Sequence, residues 1–241
     1  MLNFSGISKK SFKGRLLRAF LFFVPGWVRL RVMQGPLAGA KWIKGSGVNG
    51  YWLGSYEAQK QKAFADMLKP GWVVYDLGAN AGFYTLIASR RVGESGRVVA
   101  FEPAPKNIAN LKKHIKINRA KNAAVEAVAV SDTNEEVKFD VYAGGAVGKI
   151  SVTGIPVRAV RLDDFIREER LPPPDLMKID VEGAEAAVLR GAENTLKEFK
   201  PVLFLATHSN SLRKECLEFL AALGAKAEPM TDSPDEFIVH W

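Results

Sequence analysis

The sequence predicts an α/β protein with a mostly parallel sheet and helices on both faces. Three observations carry that expectation. Short apolar, β-branched runs recur at Val73–Leu77, Val98–Phe101, Leu176–Val181 and Val202–Ala206, the composition of strands buried on both faces. Stretches with helical apolar spacing separate them, and such alternation means a parallel sheet with right-handed crossovers. The first run passes through a glycine turn straight into a helical pattern.

Taken in order, residues 9–18 are basic and residues 19–28 apolar. The apolar run is shorter than the ~20 residues needed to span a bilayer, and Pro25-Gly26 interrupts it. It reads as a helix packed on the body or on a second subunit. Peripheral contact with an anionic membrane through residues 9–31 is the alternative. Residues 30–56 are glycine-rich and alternate, so short strands and turns forming a hairpin are expected. Tyr56-Glu57 opens a helix to about Leu68, ended by Pro70-Gly71.

The core unit then runs strand 73–77, helix 80–91, strand 97–102, helix 105–118 and strand 124–129. An extra hairpin is expected over 137–141 and 152–160, around Gly144, Gly145 and Gly148, followed by a short helix from Leu162. Strand 176–181, helix 184–197, strand 202–206, helix 211–223 and a last strand at 237–239 complete it. The expected organisation is an N-terminal basic arm and hairpin over 1–56 and one globular domain over 57–241.

Charge is unevenly spread. Nine of the 34 basic residues, and no acidic one, fall before Glu57, leaving 25 basic against all 26 acidic residues in the body. The body therefore offers no case for a nucleic-acid surface. Cys216 is the single cysteine, which excludes an internal disulfide and fits a reducing, cytoplasmic compartment.

The glycine turn carries the chemistry. Tyr-Asp-Leu-Gly-Ala-Asn-Ala-Gly spans 75–82, and such turns let backbone approach a ligand while helix N–H groups face it. Asp76 precedes the first glycine, where a phosphate would meet like charge. The spacing also differs from the Gly-x-Gly-x-x-Gly of dinucleotide folds. Twenty residues past Gly82, Glu102 ends the second strand, a placement suited to a ribose diol. A cation-tolerant turn and a diol-binding acid together favour S-adenosylmethionine.

In an open α/β sheet, ligands sit beyond the carboxyl ends of the strands. Asp76, Glu102, Ser131, Asp132, Asp180 and His208 fall there. Asp180 ends an apolar central strand, where a lone carboxylate is costly without a partner. Glu185 reads as a first-turn helix acid, His208 as a site or rim histidine, and His114 and His240 as structural or surface residues. Tyr51, Tyr56 and Glu57 either cover the sheet edge or face the ligand as substrate-side residues.

Several segments together identify a resemblance. They are 75–85, Phe-Glu-Pro at 101–103, Ala-Val-Ser-Asp at 129–132, Leu-Asp-Asp-Phe at 162–165, Lys-Ile-Asp-Val-Glu-Gly-Ala-Glu at 178–185 and Val-Leu-Arg-Gly-Ala at 188–192. They resemble the FkbM-type family of S-adenosylmethionine-dependent methyltransferases. The resemblance implies a Rossmann-like class I methyltransferase fold with a seven-stranded sheet, and O-methylation of sugar, glycan or secondary-metabolite hydroxyls. It assigns Asp76, Gly78, Asn80 and Gly82 to the methionine end of the cofactor, Glu102 to the ribose, and Ala129, Val130 and Ser131 to the adenine border. Ala79, Pro103 and Asp180 complete the cofactor set. Such proteins often carry Glu-x-His after strand five; Ala206-Thr207-His208 has no acid.

A protonated hydroxyl is a poor nucleophile and needs a base or a metal. Asp180, Glu182 and His208 are expected around the acceptor oxygen, with His208 or Asp180 as base. The alternative is a divalent cation on Asp180 and Glu182. Competing readings are a methyltransferase acting on RNA or a lipid-linked glycan, an NAD oxidoreductase, and a non-catalytic cofactor-binding protein. A homo-oligomer remains open.

Overall fold

The computed structural model describes residues 25–141, 148–151, 153–230 and 233–241. The basic arm up to residue 24, the Gly144-Gly145 tip and Val152 lie outside the described residues. The elements in chain order are β1 (Arg29–Arg31), β2 (Lys41–Ile43), α1 (Gly50–Leu53), α2 (Ala58–Met67), β3 (Val73–Leu77), α3 (Phe83–Val92), β4 (Arg97–Phe101), α4 (Pro105–Asn118), β5 (Ala123–Glu126), β6 (Ala129–Ser131) and β7 (Glu136–Val141). There follow β8 (Gly148–Ser151), β9 (Ile155–Arg161), α5 (Leu162–Glu169), β10 (Leu176–Ile179), α6 (Glu185–Gly191), α7 (Glu193–Phe199), β11 (Val202–Ala206), α8 (Asn210–Ala222), β12 (Lys226–Met230) and β13 (Ser233–His240).

Seven strands form the main sheet in the order β12-β13-β11-β10-β3-β4-β5. All pair in parallel except β13, which runs antiparallel to both neighbours. Side chains alternate between two cores. Tyr75, Leu77, Val99, Phe101, Met177 and Leu203 pack against Val188 and Leu189 of α6, Leu196 of α7 and Leu220 of α8. Val74, Val98, Leu176 and Phe204 point the other way, onto Phe64 of α2, Ile87 of α3 and Trp42 of the hairpin. Each such fully buried side chain contributes ~1.5–3 kcal/mol relative to exposure, so the central strands cannot slip register without losing both faces.

The hairpin β1–β2 is tied to the body. Lys41 N donates to Asn118 Oδ1 (2.8 Å), and Asn118 Nδ2 donates back to Lys41 O (2.8 Å). His114, fully buried, stacks on Trp42 at 3.8 Å between ring centroids. Its Nε2 accepts from Ile43 N at 3.0 Å, which leaves Nδ1 to donate to Ala81 O at 2.7 Å. Burial pushes this imidazole down to about 4, so it stays neutral.

Four expectations are corrected. Residues 50–53 form a helical turn rather than a strand. The expected strand at 124–129 divides: β5 stays in the main sheet, while β6 leaves to join a second sheet, β6-β9-β7-β8. The helix at 184–197 is two, broken at Ala192 with φ −111°. Strand β12 was not expected at all; it is a half-exposed edge strand containing Pro229, so no apolar alternation marks it.

Candidate active site

The C-terminal ends of β3, β4 and β10 open onto one cavity. One end of it begins at the turn after β3. Gly78 N and Ala79 N donate to Phe101 O at 3.1 and 3.0 Å, tying the turn to the tip of β4. Gly78 has φ +79°, and a Cβ there would sit 2.0 Å from Asp180 O. Only glycine lets β3 and β10 approach so closely at this turn. Asn80 is also left-handed, at φ 51°, a conformation asparagine tolerates. Gly82 caps α3 and packs on Leu111, away from the cavity wall.

Glu102 is 4% exposed and lines the cavity. Its Oε2 accepts from Asn80 N (2.7 Å) and its Oε1 from Ala104 N (2.9 Å) and Asn107 Nδ2 (3.2 Å). Burial pushes this carboxyl up, against the backbone donors of Ala104 and Asn80. Oε1 carries two donors and Oε2 one, so Oε2 has a lone pair left for a ligand hydroxyl. Pro103, Val128, Ala129 and Val130 add an apolar wall beside it. An anionic acceptor beside a flat apolar wall, reached through a glycine turn, has the chemistry to hold an adenosyl group. Ser131 is buried but bonds Asp132 rather than lining the cavity.

Asp76 was expected at the methionine end of the cofactor, and the structure places it beneath the cavity instead. It is fully buried and does not line the cavity. Its Oδ2 accepts from Thr85 Oγ1 at 2.6 Å, and its Oδ1 lies 3.3 Å from Lys178 Nζ. The reason is register: Asp76 pairs with Lys178 across β3 and β10. Lys178 reaches on to Asp180 Oδ2 at 3.6 Å and does line the cavity. Asp76 and Asp180 together outweigh the desolvation that would lower this ammonium, and hold it above its usual range. Sequence reading missed Lys178. A lysine inside a strand whose residues are all buried must find carboxylates, and that signal was present.

The other end of the cavity gathers Asp180 and Glu182, with His208 beside them. His208 Nε2 lies 3.5 Å from Asp180 Oδ1 and 3.3 Å from Glu182 Oε2. Asp180 and Glu182 line the cavity; His208, exposed beside them, does not. Desolvation pushes Asp180 up, but Lys178, Lys60 and His208 together hold it below the usual range. Glu182 is pushed up, first by desolvation and then by Asp180 and Glu185. The acid absent from position 206 arrives from α6: His208 Nδ1 donates to Glu185 Oε1 at 2.8 Å. Glu185 is therefore more than a first-turn helix acid, being 0% exposed and bonded to the site histidine. That hydrogen bond raises His208 to about 9.

Tyr51 and Tyr56 form the side wall. Glu57 does not reach the cavity; it accepts from Tyr84 Oη at 3.1 Å and pairs with Lys60 at 3.4 Å. Lys60, missed by sequence reading, is 6% exposed and bridges Glu57, Asp180 and Glu236.

The strand order, the antiparallel β13 and the cavity at the tips of β3 and β4 define the class I S-adenosylmethionine-dependent methyltransferase fold. The precorrin-6y C5,15-methyltransferase of Geobacter metallireducens GS-15 superposes with a TM-score of 0.51 at 20% identity, over 77% of this chain and 89% of that one. The chain belongs to the FkbM methyltransferase family: the methyltransferase FkbM domain matches residues 76–227. Hexuronic acid methyltransferase AglP of Haloferax volcanii is 26% identical, over 69% of each chain. The 31-O-demethyl-FK506 methyltransferase FkbM of Streptomyces tacrolimicus is 31% identical over 53% of this chain, which spans 62% of that relative's length. No helix among the described residues is long and apolar enough to cross a membrane.

Proposed function

We propose that this chain is an O-methyltransferase that uses S-adenosylmethionine to methylate a hydroxyl of a sugar, glycan or secondary metabolite. One observation carries the reading: a single cavity joins Glu102 and the Val128–Val130 wall to Asp180 and Glu182. The relatives' names, a hexuronic acid methyltransferase and an O-demethyl-FK506 methyltransferase, support the acceptor class.

S-adenosylmethionine, when bound, supplies an electrophilic methyl group. Glu102 Oε2 holds the ribose, and Pro103 with Val128–Val130 covers the purine face. The Gly78–Ala81 backbone receives the amino-acid end. Lys178 keeps Asp180 ionised and fixed against the turn, so the two ends of the cavity are held at constant distance; such positioning supplies much of the rate in group transfer. Tyr51 and Tyr56 wall the acceptor side. Asp180 and Glu182 receive the acceptor hydroxyl, and His208 or Asp180 takes its proton as the oxygen attacks. His208, held by Glu185, is the stronger base once it is neutral.

The test is transfer of a deuterated methyl group to a panel of uronic acids, hexoses and hydroxylated macrolides, read by mass spectrometry. An O-methyl product is expected, lost in Asp180→Asn and His208→Ala. Tight binding of S-adenosylhomocysteine without product on any acceptor would overturn the catalytic reading. Unchanged turnover in both variants would overturn the base assignment.

A further inference from the structure

Around His208 the groups are arranged for more than proton transfer. We propose that Asp180, Glu182 and His208 form a binding site for one divalent cation of the magnesium or manganese kind, with Glu185 as the residue that positions the imidazole. The site's role in catalysis rests on the methyl-transfer reading; its existence does not.

The donor geometry comes first. One ligand atom from each of the three residues lies within 4.8 Å of the others. Nε2 stands 3.5 Å from Asp180 Oδ1 and 3.3 Å from Glu182 Oε2. Neighbouring ligands of an octahedral cation at ~2.1–2.3 Å lie roughly 3.0–3.3 Å apart, so both edges that meet at Nε2 already stand within a few tenths of an ångström of that spacing, and the third, between the two carboxylates, closes from within 4.8 Å. The oxygens divide their work. Lys60 and Lys178 both approach Asp180 at Oδ2, which leaves Oδ1 facing His208 for a cation.

Glu185 supplies the independent observation. It is 0% exposed. Its Oε1 accepts from Gly183 N at 3.0 Å and from His208 Nδ1 at 2.8 Å, but Oε2 has no hydrogen-bond partner among the described residues. A buried carboxylate that is only half satisfied is costly. Its ionised form is what a metal-bound imidazole needs behind it. Through Oε1 it fixes the ring, directs the Nε2 lone pair outward and strengthens as the metal polarises Nδ1–H. The positive charge brought to the site offsets the cost of the carboxylate whose Oε2 is unpaired. Charge points the same way. Lys60 is shared with Glu57 and Glu236, and Lys178 with Asp76. No lysine or arginine among the described residues pairs with Glu182 or Glu185 within 4.0 Å. Two carboxylates and one imidazole suit a hard to borderline divalent cation.

Because Asp180 and Glu182 line the cavity, the open coordination positions face the acceptor. The acceptor class that exploits them is one with two adjacent oxygens, such as a vicinal diol or a carboxylate beside a hydroxyl. With the cation bound, coordination would lower the hydroxyl pKa and its proton would leave to solvent, in place of the transfer to His208 or Asp180 at the metal-free site.

Mn(II) alone is the probe. The full chain, stripped with chelator, is titrated calorimetrically with MnCl2, and bound Mn(II) is examined by electron spin echo spectroscopy for imidazole nitrogen. One Mn(II) per chain with a nitrogen coupling is expected. Affinity should fall at least tenfold in Glu182→Gln, whose side chain is one-third exposed and tolerates the change. It should fall 10- to 100-fold in Glu185→Gln, with the nitrogen coupling weakened, and stay unchanged in the surface variant Glu193→Gln. No saturable binding by wild type, a signal without nitrogen, or equal affinity in Glu182→Gln would overturn the site. Mn(II) binding without methyl transfer would defeat only the function proposed above. Methyl transfer persisting in chelator, with no Mn(II) binding, would defeat only the metal site.

Discussion

Replacing Glu102 by glutamine tests the nucleoside end of the cavity. Both carboxylate oxygens already accept protein donors: Oε2 from Asn80 N, Oε1 from Ala104 N and Asn107 Nδ2. Whichever way the amide is turned, its NH2 meets an N–H, and that conflict costs ~1–3 kcal/mol of apoprotein stability. The effect on binding is separate. The free lone pair on Oε2 offers one charge-assisted hydrogen bond to a ribose hydroxyl. Such bonds contribute ~1.5–3 kcal/mol, equal to about 10- to 150-fold in affinity. The assay is calorimetry with S-adenosylhomocysteine and its 2′- and 3′-deoxy analogues, on wild type and Glu102→Gln. Wild type should discriminate against at least one deoxy analogue, and the variant should not. A variant that binds the parent nucleoside within threefold of wild type, or still discriminates fully between the analogues, would refute the role given to Glu102.

Further predictions concern the frame around the site. His114 is held below its unfolded value of ~6.5, at about 4. Its stabilising contribution is therefore complete above pH 6.5 and lost as pH falls through 4, by about 3 kcal/mol in all. Urea titrations at pH 7 and pH 4 should show this loss in wild type and a smaller one in His114→Gln; equal losses would exclude His114 as the cause. Gly78→Ala should abolish S-adenosylhomocysteine binding, because its Cβ would displace Asp180 O, whereas Gly39→Ala, with φ +81° and nothing within 4 Å, should cost only ~1–2 kcal/mol and keep binding. Nucleoside binding by Gly78→Ala at wild-type affinity would contradict the close approach of β3 and β10. Cys216 is buried, and desolvation pushes its thiol up to about 12, so native protein should resist iodoacetamide at pH 8 and react once unfolded in urea. Complete labelling of native protein within minutes would contradict that burial.

The fold was legible where burial is two-sided. Strands β3, β4, β10 and β11 have helices on both faces, so their apolar runs are nearly continuous and announce themselves. Strand β12 could not be read, because an exposed edge carries no such pattern. The division of the strand at 124–129 depends on β6 pairing with β9, a partner far along the chain, which local spacing does not encode. In the site, Glu102 was readable from its distance to the glycine turn. Glu185 was not, because a helix N-terminal acid looks the same whether it faces solvent or a histidine on a different element. Lys60 and Lys178 were passed over because lysine is ordinarily a surface residue. Here each is buried among carboxylates, and together they hold Asp180 ionised.

The position of β13 has a consequence for synthesis. Strand β12 pairs only with β13 in the main sheet, and β13 also covers β11. A ribosome therefore finishes β12 before anything exists for it to pair with. The same late strand carries Glu236, whose 2.5 Å contact seats Lys60 beneath Asp180. Chains stalled before residue 233 should thus be cleaved readily by protease at 226–230, with Lys60 not yet seated beneath Asp180, so that this end of the cavity is completed only once β13 has emerged.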